Sequence, residues 1–317
     1  MSGLQALLHR RPEGRPGAGV REAVVLSGGG SLGAAQVGAL RALFEAGIRP
    51  DLFVGCSVGA LNAAFLAVNP TLDRLAELEQ VWYRLDRKDI FGSRRLAGQV
   101  LQLAVRRGDH LCDPQALRAL VRRWVPLEDL SDTAVPCHVV TTDLRSGRPC
   151  WWSAGDPVAL LTASACLPAI FPPVPLDGSL HVDGGVTCPV PVQRALELGA
   201  TRTWVVDVNG AGDDRSTDPR NPLEVLLRAF AISRSSLDGG TPAGDPPGQR
   251  VVRLPRIHAG PVEMRDFRHT ARLMQVGYAA GRVAVAGEAA AVPAPRRPTG
   301  AGRRRQPAVR PALVPTS

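Results

Sequence analysis

Asp51-Leu52-Phe53-Val54-Gly55-Cys56-Ser57-Val58-Gly59-Ala60-Leu61-Asn62-Ala63-Ala64-Phe65-Leu66-Ala67 is the stretch on which the fold turns. A strand-like run over 51–54 enters the pentapeptide Gly55-Cys56-Ser57-Val58-Gly59, and a helix-like run leaves it at Ala60. G-x-S-x-G in that setting predicts a sharp strand-to-helix turn that exposes and orients a serine hydroxyl. Gly55 and Gly59 leave room where side chains would collide. Exposure and orientation are two of the three things a serine needs to act as a nucleophile; the third is a nearby base.

The same step occurs just upstream. Glu22 to Leu26 (EAVVL) reads as a short apolar strand, Ser27-Gly28-Gly29-Gly30-Ser31-Leu32-Gly33 comes next, and a helix runs to about Ala46 with a stop at Gly47. A βαβα order predicts a parallel sheet with helices on both faces. From about 71 to 130 the pattern is mostly helical, with turns at 94–107 and 114–124, which reads as a helical insertion beside the sheet. Strand signals return at 136–142 and 149–153, joined by a turn at 145–148. A helix at 156–165 precedes Leu180-His181-Val182 and then Asp183-Gly184-Gly185. Further helices are expected at 190–198, 222–236 and 262–287, with strands at 203–208 and 250–255. Residues 1–20 and 291–317, rich in Gly, Pro and Arg, read as disordered flanks of a catalytic domain over 21–290.

Composition narrows the function. The formal charge of +9 resembles a nucleic-acid signal, but six of those charges are tail arginines after Glu288, and Lys88 is the only lysine. Nucleic acid is therefore not an expected partner; the Arg-rich tail is instead a candidate for peripheral contact with anionic lipid. The six cysteines show no C-x-x-C pair and the histidines no H-E-x-x-H spacing, so no metal or cofactor is expected. No apolar run is long enough to span a bilayer, and residues 1–19 lack an apolar stretch with a cleavage site. The expected location is cytoplasmic, with or without peripheral membrane contact.

The first glycine loop has two chemical readings. Gly28-x-Gly30-x-x-Gly33 matches a dinucleotide fingerprint, which also needs an acid at the end of the second strand. Asp51 has the right separation but sits where that strand begins. Alternatively, three consecutive glycines turn backbone N–H groups toward one point at a helix N-terminus, the arrangement of an oxyanion hole. For the base, Asp183 before Gly184 and Gly185, on a loop after a short strand, is the leading candidate.

Taken together, the glycine loop, the G-x-S-x-G elbow and the late D-G-G resemble the patatin-like phospholipase family. Ala163-Ser164-Ala165-Cys166-Leu167-Pro168-Ala169-Ile170-Phe171-Pro172-Pro173-Val174 is similar to that family's A-S-x-x-x-P-x-x-F-P-P segment. Asp183-Gly184-Gly185-Val186 and Pro189-Val190-Pro191-Val192 resemble the family's next stretch downstream of that segment. The resemblance covers about 22–208 and continues weakly to 290. It implies a three-layer α/β/α fold, a Ser-Asp dyad and hydrolysis of lipid acyl esters. It would make Ser57 the nucleophile, Asp183 the base, and the Gly28, Gly29 and Gly30 backbone the oxyanion hole. Many family members carry Arg or Lys where this chain has Leu32, so help from a cation there is not expected. Two other readings compete: an α/β-hydrolase esterase whose triad is completed by His258 or His269, and a nonhydrolytic anion- or nucleotide-binding module built on the Gly28–Gly33 loop.

Overall fold

The computed structural model describes residues 21–92, 111–209, 218–219, 222–236, 244–258, 260, 262 and 265–291. The segment 1–20, the helix expected at 94–107 and the tail beyond Ala291 lie outside them. The strands are β1 (Glu22–Leu26), β2 (Leu52–Cys56), β3 (Cys137–Asp143), β4 (Pro149–Trp152), β5 (Val174–Leu176), β6 (Ser179–Asp183), β7 (Arg202–Val206) and β8 (Arg250–Arg253). The helices are α1 (Gly33–Glu45), α2 (Val58–Ala67), α3 (Leu72–Arg84), α4 (Arg87–Phe91), α5 (Gln115–Trp124), α6 (Pro157–Ser164), α7 (Val192–Glu197), α8 (Pro222–Ser236) and α9 (Thr270–Ala291).

Among the described residues the eight strands form one sheet in the order β5-β6-β3-β2-β1-β7-β8, with β4 paired to β3. Strands β3, β2, β1, β7 and β8 pair in parallel; β4 and β6 pair antiparallel with β3, and β5 pairs antiparallel with β6. Successive residues of a strand point to opposite faces, and the two cores divide accordingly. Val24, Leu26, Phe53, Trp204 and Val206 enter the larger core with α1, α2, α3, α5, α6 and α9. Ala23, Val25, Leu52, Val54 and Val205 enter a smaller one covered by α7. The result is the expected three-layer α/β/α arrangement, with one thick helical layer and one thin.

The helices expected between 71 and 130 are not a detached flap. Leu75, Leu78 and Trp82 of α3 and Leu117, Leu120, Val121 and Trp124 of α5 are buried in the main core. Trp124 sits edge-on to Phe65 of α2 with ring centroids 5.8 Å apart. One strand was not expected, and one helix starts late. The strand β5 falls in a Pro-rich stretch that carries no alternation. The last helix begins at Thr270, eight residues later than its pattern suggests, because 265–269 form turns in which Phe267 still faces the core.

Candidate active site

Parallel α/β sheets open their binding crevice at the carboxyl ends of the strands, and the chemistry-bearing residues gather there. Ser57 follows the last residue of β2 and adopts φ 53°, ψ −124°. A non-glycine residue with positive φ is strained, and here the strain turns the chain from strand to helix within one residue. The flanking glycines are required by close approach. A Cβ on Gly55 would lie 2.5 Å from the Ala60 Cα, and one on Gly59 would overlap the Leu26 and Ser27 carbonyls at the end of β1. The elbow is thereby pressed against the glycine loop.

Strand β3 explains how Ser57 and Asp183 meet although 126 residues separate them. Its residues 139–142 pair with β4 along one edge, so β2 and β6 must share the other. On that edge Cys56 pairs with Val140 and Asp183 with Thr141. The parallel strand and the antiparallel one therefore end at adjacent register positions. Ser57 Oγ donates to Asp183 Oδ2 at 2.7 Å. Asp183 Oδ1 accepts from the Gly185 N–H at 2.7 Å, and Thr142 Oγ1 donates to the Asp183 carbonyl at 3.0 Å. The Ser57 N–H is held by Ser164 Oγ at 3.0 Å.

Asp183 is fully buried and Ser57 nearly so. Burial raises the Asp183 carboxyl above the ordinary carboxylate range; the Arg234 guanidinium, the Ser57 hydroxyl and the Gly185 N–H act against that rise. A carboxylate so placed is a stronger base than one in water.

The glycine loop spans the end of β1 and the start of α1. A Cβ on Gly28 would lie 3.2 Å from the Ser57 Cβ. The Gly28 N–H donates to the Pro189 carbonyl at 3.2 Å, whereas the Gly29 and Gly30 N–H groups have no hydrogen-bond partner among the described residues. Three buried polar side chains fix the loop to the elbow helix. Gln36 Nε2 donates to the Ser27 carbonyl at 2.6 Å, Asn62 Nδ2 to the Gly33 carbonyl at 3.1 Å and to Gln36 Oε1 at 3.0 Å, and Trp82 Nε1 to Asn62 Oδ1 at 2.9 Å. Gly33 is needed because a Cβ there would lie 2.5 Å from Val58 Cγ2, and Gly184 packs on the Val140 carbonyl.

The residues named by the competing readings are exposed or have partners of their own. His258 is exposed, and His269 lies 3.4 Å from Asp266. Asp51 accepts from the Glu22 N–H at 2.9 Å, at the opposite end of the strands from the glycine loop. Asp143, Cys150 and His181 bring possible metal-ligand atoms within 4.8 Å of one another. Hydrogen bonds use Asp143 and His181, however. Asp143 Oδ1 accepts from Ser179 Oγ at 2.6 Å and from the Arg145 N–H at 2.7 Å. Thr141 Oγ1 accepts from Trp152 Nε1 at 2.8 Å and shares a second hydrogen bond with His181 Nδ1, 2.9 Å away.

Sequence reasoning missed two residues of this site. Ser164 lay within a quoted motif, but nothing marked its hydroxyl. Arg234, on α8, carried no motif at all.

The sequence matches the patatin-like phospholipase family over residues 24–196. The chain belongs to that family. It is 30% identical over 220 residues to an uncharacterised NTE family protein of Mycobacterium tuberculosis, covering 69% of this chain and 58% of that one. It is 26% identical over 287 residues to lysophospholipase nte1 of Aspergillus terreus, covering 82% of this chain but 18% of that one. The chain thus spans little over half of the mycobacterial relative and under a fifth of the fungal one. Among solved structures, VipD from Legionella pneumophila is similar with a TM-score of 0.46 and 14% identity, over 84% of this chain and 67% of that one. Among the described residues of this patatin-like protein, no helix is long and apolar enough to cross a membrane.

Proposed function

We propose that this protein hydrolyses lipid carboxylic esters, in the manner of a phospholipase A or lysophospholipase, through a Ser57-Asp183 dyad. The 2.7 Å hydrogen bond between a strained elbow serine and a buried carboxylate carries the reading. Asp183 takes the proton as Ser57 Oγ bonds to the ester carbonyl carbon. The tetrahedral oxyanion rests on the Gly29 and Gly30 N–H groups, with Gly28 shaping the loop rather than donating. Collapse breaks the carbon–oxygen bond to the alcohol or lysolipid, which leaves with the proton. Water, deprotonated by the same carboxylate, then cleaves the acyl-serine and frees the fatty acid. The site has no need of a histidine, because burial supplies the basicity a surface aspartate lacks.

The test is intact-mass labelling with a fluorophosphonate together with fatty-acid release from lysophosphatidylcholine micelles. Wild type should gain one adduct and release fatty acid; Ser57→Ala should do neither, and Asp183→Asn should label slowly. A folded wild type that takes no adduct would remove the hydrolase reading.

A further inference from the structure

The glycine loop carries no charged side chain, yet a buried cation stands beside it. Arg234 arrives from α8, 51 residues after Asp183 in the chain, and is 4% exposed. Its Nη2 lies 2.6 Å from the point a Cβ on Gly28 would occupy, and Ser57 Cβ lies 3.2 Å from the same point. Its Nε and Asp183 Oδ1 each lie 2.9 Å from the Cβ position of Gly185, which caps their separation at twice that distance. One guanidinium therefore borders the nucleophile, the base and the oxyanion loop. Its placement is fixed: Nη2 donates to Asn209 Oδ1 at 2.6 Å, and the guanidinium carbon stands 5.4 Å from the Phe230 ring centroid.

We propose that Arg234 is the electrostatic positioning residue of this active site, holding Asp183 as a carboxylate and staying beside the negative charge as that charge moves to the oxyanion. The proposal rests on the Ser-Asp reading above and adds a third member to it. The physical need is plain. A wholly buried aspartate without a cation protonates rather than remain charged. A cation touching only the base would oppose the proton transfer, because its attraction would vanish as Asp183 became neutral. Placed between Gly28 and Gly185, Arg234 does not lose it. As the proton goes to Asp183, the negative charge appears over the glycine loop, on the other side of the same guanidinium. The pocket's net charge is unchanged through the step, which is how preorganised electrostatics lower a barrier.

The other groups facing Asp183 do not mimic this role. The Cys56 thiol, at the end of β2, is driven well above its ordinary pKa by burial and stays neutral. Cys188, packed with Cys56 and Val140, is pushed up to about 11 by burial. Cys166 meets Asp183 through its carbonyl, which accepts the Asp183 N–H at 2.9 Å. His181, two residues back on β6, is bonded to Thr141, and burial lowers its pKa.

The experiment measures the rate of Ser57 phosphonylation by a fluorophosphonate against pH for wild type, Arg234→Met and Arg234→Lys. In this reaction Ser57 Oγ bonds to phosphorus, fluoride leaves and Asp183 takes the proton, so no lipid is needed. Met keeps the length of the side chain without its charge; Lys restores the charge. The expected result is a loss of about 10²-fold at neutral pH in Arg234→Met. Its acid limb should move up by about 1–3 pH units, the effect of removing one neighbouring opposite charge, and Lys should recover most of both. Equal rates and an unmoved limb in Arg234→Met would overturn the proposal while leaving the dyad intact. A slow Arg234→Met with an unmoved limb, matched by an equally slow Arg234→Lys, would overturn it in favour of packing alone. Absence of any adduct on wild type would instead remove the dyad reading beneath it.

Discussion

Ser57 and Asp183 are each held in a state that the rest of the fold must support. Ser57 sits at φ 53°, a conformation that costs about 1–3 kcal/mol for a residue with a side chain. Ser57→Gly and Ser57→Ala should both abolish turnover, but Ser57→Gly should be the more stable by roughly 1 kcal/mol in urea unfolding; equal midpoints would show the elbow to be relaxed. Asp183 carries its cost in charge. Its carboxyl is raised by burial, so the folded state binds a proton more tightly than the unfolded one. Stability contributed by that proton is present at low pH and is lost as pH rises through the raised pKa. Asp183→Asn should therefore lose about 10²–10⁴-fold in turnover yet melt higher than wild type at pH 7, and the gap should narrow toward pH 4. The turnover of wild type should fall on the acid side at a higher pH than a surface aspartate would give. Arg234 stands beside both residues, and no local pattern foretells it. The G-x-S-x-G, D-G-G and triple-glycine signals are local, because each marks a backbone shape. A long-range ion neighbour leaves no such mark.

Between elements, the successes and the gaps of sequence reading have one physical origin. Strands β1, β2 and β7 were legible because their side chains are buried on both faces, giving continuous apolar runs. Strand β5 was not: three residues containing Pro175 show no alternation, and only pairing with β6 makes them a strand. The contact between α1 and α9 was also invisible from either helix alone. Gly38 packs on the Met274 carbonyl, Gly277 on the Ala35 carbonyl, and Gly281 on Ala39 and Ala42, so the two backbones nearly touch. This close approach fixes α1, and the glycine loop that opens it, against the C-terminal helix. Gly277→Leu should destabilise the fold by about 3 kcal/mol, the upper range for overpacking, and should lower the yield of labelled enzyme in proportion to the folded fraction. Exposed Gly287, with nothing near its Cβ position, provides the control: Gly287→Ala should gain up to about 1 kcal/mol of helix propensity.

Across the whole molecule, chemistry and bracing lie at opposite ends of the sheet. The carboxyl ends of β1 and β2 hold the glycine loop and Ser57; their amino ends meet a charged network. Glu22, at the start of β1, accepts from Arg202 Nε at 2.9 Å and from Trp204 Nε1 at 2.8 Å. Glu288 near the end of α9 lies 3.9 Å from Arg202 and 3.1 Å from Arg250, and Arg250 reaches Asp245 at 2.8 Å. The network ties β1, β7, β8 and α9 together where the strands begin. Its exposed members contribute little, but Glu22 is 8% exposed, and stranding a charge that buried is costly. Arg202→Met should therefore destabilise by about 2–3 kcal/mol, somewhat below the cost of breaking a fully buried pair, since Arg202 keeps a quarter of its side-chain exposure. The paired change Glu22→Gln with Arg202→Met should recover part of that loss, because no charge is then left without a partner. Neither variant touches the site, so each should phosphonylate at the wild-type rate per folded molecule. A change in that rate, measured well below the melting temperature, would mean that the two ends of the sheet are coupled and that the brace helps set the geometry of Ser57.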